Sequence, residues 1–242
     1  MLIVGLDLAW GEKKPDGVCV IAATRRRARV RGFAYPRGDK MLLAQLSRHI
    51  GRRKSVLMTI DAPIVCPNRT GTRPVDRLTH TLFHREHAAC HPANSTKCPR
   101  PIRVRKQLEA RGFVTGWKAG RGMKTVAEVY PHPAIVRLFK LQRIIKYKKG
   151  TVAQRRRAFR RFQQLIVRSI AENFPTFFVD EETNHLLAST WSKSVEDKTD
   201  ALMCALIGLW HYQHDGRKSD VIGDLETGFI LLPKDLRTVL MG

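Results

Sequence analysis

Acidic residues are scarce in this chain: 21 Asp and Glu stand against 44 Lys and Arg, a formal net charge of +23. Where those few acids sit is therefore informative. Asp7 follows the apolar run Leu2-Ile3-Val4-Gly5-Leu6, Asp61 ends the run from Ser55 to Ile60, and Glu128 lies near the end of Thr125 to Val129. Asp197 and Asp200 are three apart, hence on one face of a helix, at the N-terminal end of the apolar stretch that runs to Gln213. Carboxylates gathered away from water repel one another, and a divalent cation relieves the cost. Hard oxygen ligands suit Mg²⁺ or Mn²⁺. Two such ions ~3.5–4 Å apart activate water and stabilise the leaving oxygen in phosphodiester hydrolysis. The expected metal ligands are Asp7, Asp61 and Asp200, with Asp197 and Glu128 as further catalytic candidates. Each also has a plainer role open to it. Asp7, before Leu8-Ala9-Trp10, could serve in a turn, Asp61 precedes Ala-Pro and could initiate one, Glu128 could pair with an arginine, and Asp197 and Asp200 could complement a helix dipole.

Two other groups of residues could do chemistry. His84, His87, Cys90 and Cys98 crowd one short stretch, with Cys66 upstream. They could complete a tetrahedral Zn²⁺ site, although their spacing matches no standard zinc template. The alternative is a polar loop with a buried cysteine or two. The basic residues form the other group. Gly116 to Lys124 is glycine-rich; Lys118, Arg121, Lys124 and its backbone N–H groups could hold phosphates, and Trp117 could stack on a base. Lys146, Lys148 and Lys149 precede a helix whose polar face carries Arg155, Arg156, Arg157, Arg160, Arg161 and Arg168. Such a face is often simply solvated, but with so little acidic compensation it also suits a nucleic-acid backbone.

The elements that must position these residues are legible in outline. Leu2 to Leu6, Gly17 to Ala23 and Ala28 to Tyr35 read as three antiparallel strands with tight connections. Asp39 to Ile50 is an amphipathic helix stopped at Gly51, and Ser55 to Ile60 is a fourth strand. A helix between strands three and four implies a crossover, so strand four should lie parallel to strand one and bring Asp61 beside Asp7. Ligands collect at the carboxyl ends of parallel strands. Residues 66–123, rich in Pro, Gly, His and Arg, read as an insertion of loops and short helices, one of them over Arg73 to Ala89. Thr125 to Val129 is the fifth strand, and Ala134 to Leu141 a short helix. Thr151 to Asn173 is a long amphipathic helix, and Asp197 to Gln213 a mostly buried one. Gly228 to Pro233 is expected as an edge strand or extended tail.

Composition bounds the rest. The 242 residues fit one domain, 1–242, with a large insertion, and 43% hydrophobic content is enough for a core. The longest apolar run, Ala201 to Trp210, is too short to span a bilayer, and MLIVGLDLAW lacks a signal peptide's basic start. Five cysteines imply no disulfide framework, which suits a reducing cytoplasm. The positive field makes nucleic acid, DNA or RNA, the first partner to expect, rather than a membrane or a small substrate. There is no P-loop. The oligomeric state is left open.

Taken in order, LIVGLDLAWG, TIDAP, NRTGTRPVDR, AEVYPHP, DKTDALMCAL and GDLETGFILLP resemble the family called domain of unknown function 429, predicted ribonuclease H-like nucleases. The resemblance covers nearly the whole chain. It implies a ribonuclease H-like α/β fold with a mixed five-stranded sheet and an insertion after strand four, and a Mg²⁺- or Mn²⁺-dependent nuclease. It matches Asp7 to the strand-one metal ligand, Asp61 to the strand-four acid and Asp200 to the final-helix ligand, with Asp197 its neighbour. The final helix is similar to that of RuvC-type junction resolvases. Glu128 belongs to the family's own EVYP segment, which has no clear counterpart there. Actin-like and sugar-kinase ATPases would place a Gly-Thr or Gly-Ser turn after the first Asp; Leu-Ala-Trp follows Asp7 here. A non-catalytic nucleic-acid-binding protein of the same fold is the alternative.

Overall fold

The structure is a computed structural model and describes residues 1–235. It opens with β1 (Leu2–Asp7), β2 (Gly17–Ala23) and β3 (Ala28–Ala34), followed by α1 (Gly38–Ile50) and β4 (Val56–Ile60). The insertion contributes α2 (Pro74–Phe83), α3 (Pro99–Glu109) and β5 (Val114–Thr115) before β6 (Lys124–Glu128). Then come α4 (Pro131–Leu138), α5 (Val152–Asn173), β7 (Phe177–Phe178), α6 (Glu181–Ala188), α7 (Lys193–Gln213), β8 (Ser219–Asp224) and β9 (Gly228–Pro233).

The main sheet has seven strands in the order β5-β6-β4-β1-β2-β3-β7, where five were expected. The two extra strands, β5 and β7, are two residues long and pair at the edges with β6 and β3. Such short pieces leave no hydrophobic period to detect. β1 pairs antiparallel with β2, and β2 with β3, while β4 runs parallel to β1 and β6 parallel to β4. Every strand except β2 therefore points the same way, and β1, β3, β4 and β6 all end on one side of the sheet.

Three other expectations are revised. α4 starts at Pro131, not Ala134, because Pro131 and Pro133 fall in the first turn, where a missing N–H costs nothing. α2 stops at Phe83, short of Ala89. β9 is an edge strand, one of the two arrangements expected, but of a separate two-stranded sheet and not an exposed one. All six of its residues are buried, it forms a hairpin with β8, and Leu231 makes a parallel bridge to Val129 just past β6.

α7 lies across β1 and β2 and is buried without a break from Thr199 to His211. Its approach is closer than ordinary side chains permit. A Cβ at Gly5 would meet the Ala201 carbonyl oxygen at 2.1 Å and the Ala205 nitrogen at 2.3 Å. At Gly17 it would meet the Asp197 carbonyl oxygen at 2.1 Å. No side-chain rearrangement relieves a clash with backbone, so α7 itself would have to lift.

Two buried arginines fix the insertion to the sheet. Arg73, just before α2, donates to both oxygens of Glu128 (2.7 and 2.9 Å), to both of Asp76 (2.8 and 3.2 Å) and to the Val65 carbonyl (2.9 Å). Arg100 of α3 donates to both oxygens of Asp16 (2.8 and 2.7 Å), to Asp39 (2.8 Å) and to the Ala9 carbonyl (2.6 Å). The first tie holds the end of β6; the second holds the loop that follows β1. Among the described residues, no helix is long and apolar enough to cross a membrane.

Gly17→Ala should lower stability by ~1–3 kcal/mol or more, the usual cost of overpacking. Denaturant unfolding would check this; an unchanged midpoint would mean that α7 is not held where described.

Candidate metal centre

The carboxyl ends of β1 and β4 meet as the register demands. β1 and β4 pair from Leu2↔Val56 to Leu6↔Ile60, and the Asp61 N–H continues the pairing with a 2.9 Å bond to the Leu6 carbonyl. Asp61 thus emerges next to Asp7. From above, the first turns of α7 bring two more acids. Ser192 caps that helix by accepting from the Val195 N–H at 3.3 Å, and Asp197 and Asp200 follow on the sheet-facing side.

Ligand oxygens of Asp7, Asp197 and Asp200 all lie within 4.8 Å of one another. This trio differs in one member from the expected set of Asp7, Asp61 and Asp200: Asp197 is inside it, and Asp61 stands beside it. Asp200 is fully buried and Asp197 nearly so. Asp7 and Asp61 are half-buried at the rim.

Each helix carboxylate is held by the chain itself. The Tyr147 hydroxyl donates to Asp200 Oδ1 at 2.7 Å, and Lys148 Nζ lies 2.8 Å from Oδ2. The Tyr35 hydroxyl donates to Asp197 Oδ2 at 2.8 Å, and Lys193 Nζ lies 2.7 Å from Oδ1. Tyr147 is itself fixed by stacking on Phe162 of α5, with ring centroids 4.3 Å apart and planes at 11°. Among the described residues, no hydrogen bond or ion pair ties down the Asp7 carboxylate, which leaves its oxygens for a ligand.

Burial pushes Asp7 far above the usual carboxylate range; Lys148 opposes this, and Asp200, Asp61 and Asp197 add to it. Burial raises Asp200 too, against Lys148 and Tyr147. Asp61 is pushed up to about 7, chiefly by burial, with Lys148 opposing and Asp200 and Glu128 contributing. Such clustering of perturbed acids is typical of functional sites. The donor set is all oxygen and anionic, which fits Mg²⁺ or Mn²⁺.

Glu128 has a different setting. Its two oxygens accept from Arg73, and the Ile64 N–H donates to it at 3.0 Å. The carboxylate at the end of β6 is therefore committed to anchoring the insertion. It does line a small cleft of about 50 Å³ together with Asp61, Arg73, His91 and Tyr130.

The structure does not gather His84, His87, Cys90 and Cys98 into a set with converging ligand atoms among the described residues. Cys98 turns instead toward Cys66 in a small buried cluster with Ala93. Cys90 is packed against Thr79. His84 Nδ1 is engaged by the carbonyls of His80 and Thr81 in its own helix.

The basic candidates divide by position. Trp117, Lys118, Arg121 and Lys124 precede or begin β6, which runs parallel to β4. Lys124 opens β6 at the amino end of these strands, its backbone about 16 Å below the level of Asp61 for five residues at ~3.3 Å each, and the Lys118 carbonyl accepts from the neighbouring Thr125 hydroxyl at 2.6 Å. Trp117 packs edge-on against Phe229 at 5.2 Å and its carbonyl accepts from His211 Nε2 at 2.7 Å, so it is no free stacking platform. Lys148 and Lys149 are at the acidic end. Arg155 stacks on Trp191 at 4.5 Å, and Trp191 donates to Glu196 beside Asp197. Arg156 and Arg160 are exposed on α5.

Sequence reasoning overlooked Tyr35, Tyr147 and Lys193 as partners of the acids. Tyr35 had a signal. It follows the third strand, which must run parallel to the first if both neighbours of the second are antiparallel to it.

Residues 5–226 match the model of a family described as "Protein of unknown function (DUF429)". No curated protein matches the chain.

Two outcomes are expected. Arg73→Ala strands the buried Glu128 and Asp76 carboxylates and should cost ~3–5 kcal/mol, measurable by chemical denaturation; a loss under ~1 kcal/mol would deny the anchoring role. The second concerns pH. Because folding raises Asp61 from 3.8 to about 7, the folded chain holds a proton that the unfolded chain releases in that window. Stability from this group is complete below 3.8 and is lost as pH rises to 7. Melting in EDTA should therefore show Asp61→Asn more stable than wild type at pH 8, by ~3 °C or more, with the gap closing toward pH 4. A gap independent of pH would contradict the raised value.

Proposed function

The chain belongs to the DUF429 family, and we propose that it is a metal-dependent nuclease with a ribonuclease H-like core. The observation that carries this reading is the convergence of Asp7, Asp197 and Asp200, with Asp61 adjacent, in a protein of net charge +23. For the fold, support comes from the element order. The order β1-β2-β3-α1-β4, an insertion of two helices and the short β5, then β6-α4 is compatible with the β-β-β-α-β-α-β-α order of ribonuclease H-like proteins once β5 is set aside.

Asp7, Asp197 and Asp200 would hold Mg²⁺ or Mn²⁺, and Asp61 lies close enough to share in that duty. Bound there, the ion supplies an activated water and offsets charge on the phosphate under attack. The chain's own residues do the rest. Asp61, half-ionised near neutral pH, is matched to accept a proton from water. Lys148, about a third exposed, balances the carboxylates and presents an ammonium toward an incoming phosphate. Tyr35 and Tyr147 fix the rotamers of Asp197 and Asp200, so the ligands need no reorganisation. Lys149 and the exposed arginines of α5 extend the cationic surface along which a strand would lie.

A second reading keeps nucleic-acid binding without cleavage. It is favoured by the 2.8 Å contact of Lys148 with Asp200, which compensates part of the acidic charge internally.

One experiment separates the two. Labelled single- and double-stranded DNA and RNA are incubated with the protein in Mg²⁺, in Mn²⁺ and in EDTA, with Asp7→Asn as control. The nuclease reading expects divalent-dependent products that fall to the protein-free level in the variant. Salt-sensitive binding with no products under either ion would leave the second reading standing and remove the first.

A further inference from the structure

Beside the acidic centre is a cavity of about 320 Å³ that shares Tyr147, Lys148 and Lys149 with the proposed nuclease site and extends beyond it. Its size falls at the lower end of the ~300–1,000 Å³ usual for small-molecule sites. One wall is the end of α2 and the turn after it, with His80, His84, His87 and His91. The second is the start of α4, with Tyr130 and His132. The third is the segment from Ile144 to Lys149. The walls are tied together. The Ile144 N–H donates to the Glu86 carbonyl at 2.8 Å, and the Tyr130 hydroxyl donates to the Ala89 carbonyl at 3.1 Å.

The lining is cationic and contains no carboxylate. Lys148 is shared with Asp200, but Lys146 and Lys149 pair with no acid among the described residues. The field they create is felt by His132. Burial first, then Lys148, His91 and Lys149, hold this imidazole down at about 3, so it stays neutral. Since the Tyr130 proton is used on Ala89, His132 Nδ1, 2.9 Å from the same hydroxyl, must be the donor there. This assignment from the network leaves Nε2 as an acceptor. Ile144 and Ile145 add an apolar wall.

Two unpaired ammonium groups, an acceptor for a hydroxyl, an apolar wall and room well beyond a lone phosphate together define a ligand. We propose that the cavity binds a nucleotide carrying a phosphomonoester, from either a phosphorylated strand end or a free mononucleotide. The phosphate would lie on Lys146 and Lys149, and a sugar hydroxyl would donate to His132. The proposal rests on the nuclease reading for its place in a reaction: Lys148 lines the cavity and touches Asp200, so a strand end held here has its neighbouring phosphodiester next to the acids.

The test is equilibrium binding to wild-type protein in EDTA, where no divalent ion takes part. The probes are 5′-AMP, 3′-AMP, adenosine, and one fluorescent oligonucleotide with and without a terminal phosphate at its unlabelled end. At least one AMP isomer should bind ~10-fold or more tightly than adenosine. Lys146→Ala/Lys149→Ala should abolish that preference, with an unchanged circular dichroism spectrum since both lysines are exposed. Arg26→Ala/Arg52→Ala, exposed near the amino ends of β3 and β4 and so at the opposite end of the sheet, should preserve it. A matching preference of the oligonucleotide for its phosphorylated end identifies a strand end as the ligand; a preference confined to AMP identifies a free nucleotide. The proposal is overturned if adenosine binds as well as both isomers, or if the two double variants weaken binding alike, which would mean diffuse charge alone. Divalent-dependent cleavage alongside either result would leave the nuclease intact and remove only the cavity's role. Phosphate-selective binding without cleavage would do the reverse.

Discussion

The absence of two β-carbons governs the architecture of this protein. α7 rests directly on the backbone of β1 and β2 because Gly5 and Gly17 present nothing to keep it away. A helix packed over ordinary side chains stands ~10 Å from a sheet, and its N-terminal acids would then hover above the strand ends. Here the helix descends until the Asp197 carbonyl occupies the space where a Cβ of residue 17 would be. That contact is next to Asp7, which pairs with Gly17 in the ladder. The same geometry thus brings the helix and the strand carboxylates to a common point.

Bringing them together has an electrostatic cost, since like charges converge where water is largely excluded. The chain offsets it with directional donors: a tyrosine and a lysine on each of the two helix acids. Tyrosine contributes a hydrogen bond without adding further positive charge to the cluster. Apart from Lys148 and Lys193, the basic residues near the acidic centre stand around it, on the 144–149 segment and α5. Under the proposed nuclease reading, such opposite fields side by side would serve two ends: long-range attraction for a strand and local attraction for a metal.

Much of this was legible in the sequence, for identifiable reasons. The strand run ending in Asp7, the crossover that sets Asp61 beside it, and the helical spacing of Asp197 and Asp200 are local patterns with one topological rule connecting them. Which of Asp197 and Asp61 converges with Asp7 and Asp200 was not legible. It depends on how far α7 sinks onto the sheet, which is fixed by Gly5 and Gly17, residues that read as ordinary strand glycines. The place of the glycine-rich loop at 116–124 in the fold was not read from its composition. Its composition suits phosphate, but a segment that precedes a parallel strand belongs at the end of the sheet opposite the acids. Arg73 and Arg100 could not be singled out among so many basic residues, because their distinction is burial and partner geometry. β8 was missed since its sequence, SDVIGD, has only two large apolar residues.

The carboxylates that meet in space lie almost two hundred residues apart along the sequence: Asp7 closes β1 and Asp200 belongs to α7. While the protein is being synthesised, all strands of the main sheet, the 144–149 segment and α5 leave the ribosome before α7 does. A nascent chain therefore carries these cationic segments before it possesses an acidic centre. Any product truncated ahead of α7 keeps basic segments but lacks two of the three converging acids. The order of elements along the chain thus completes the acidic centre only once α7 has been made.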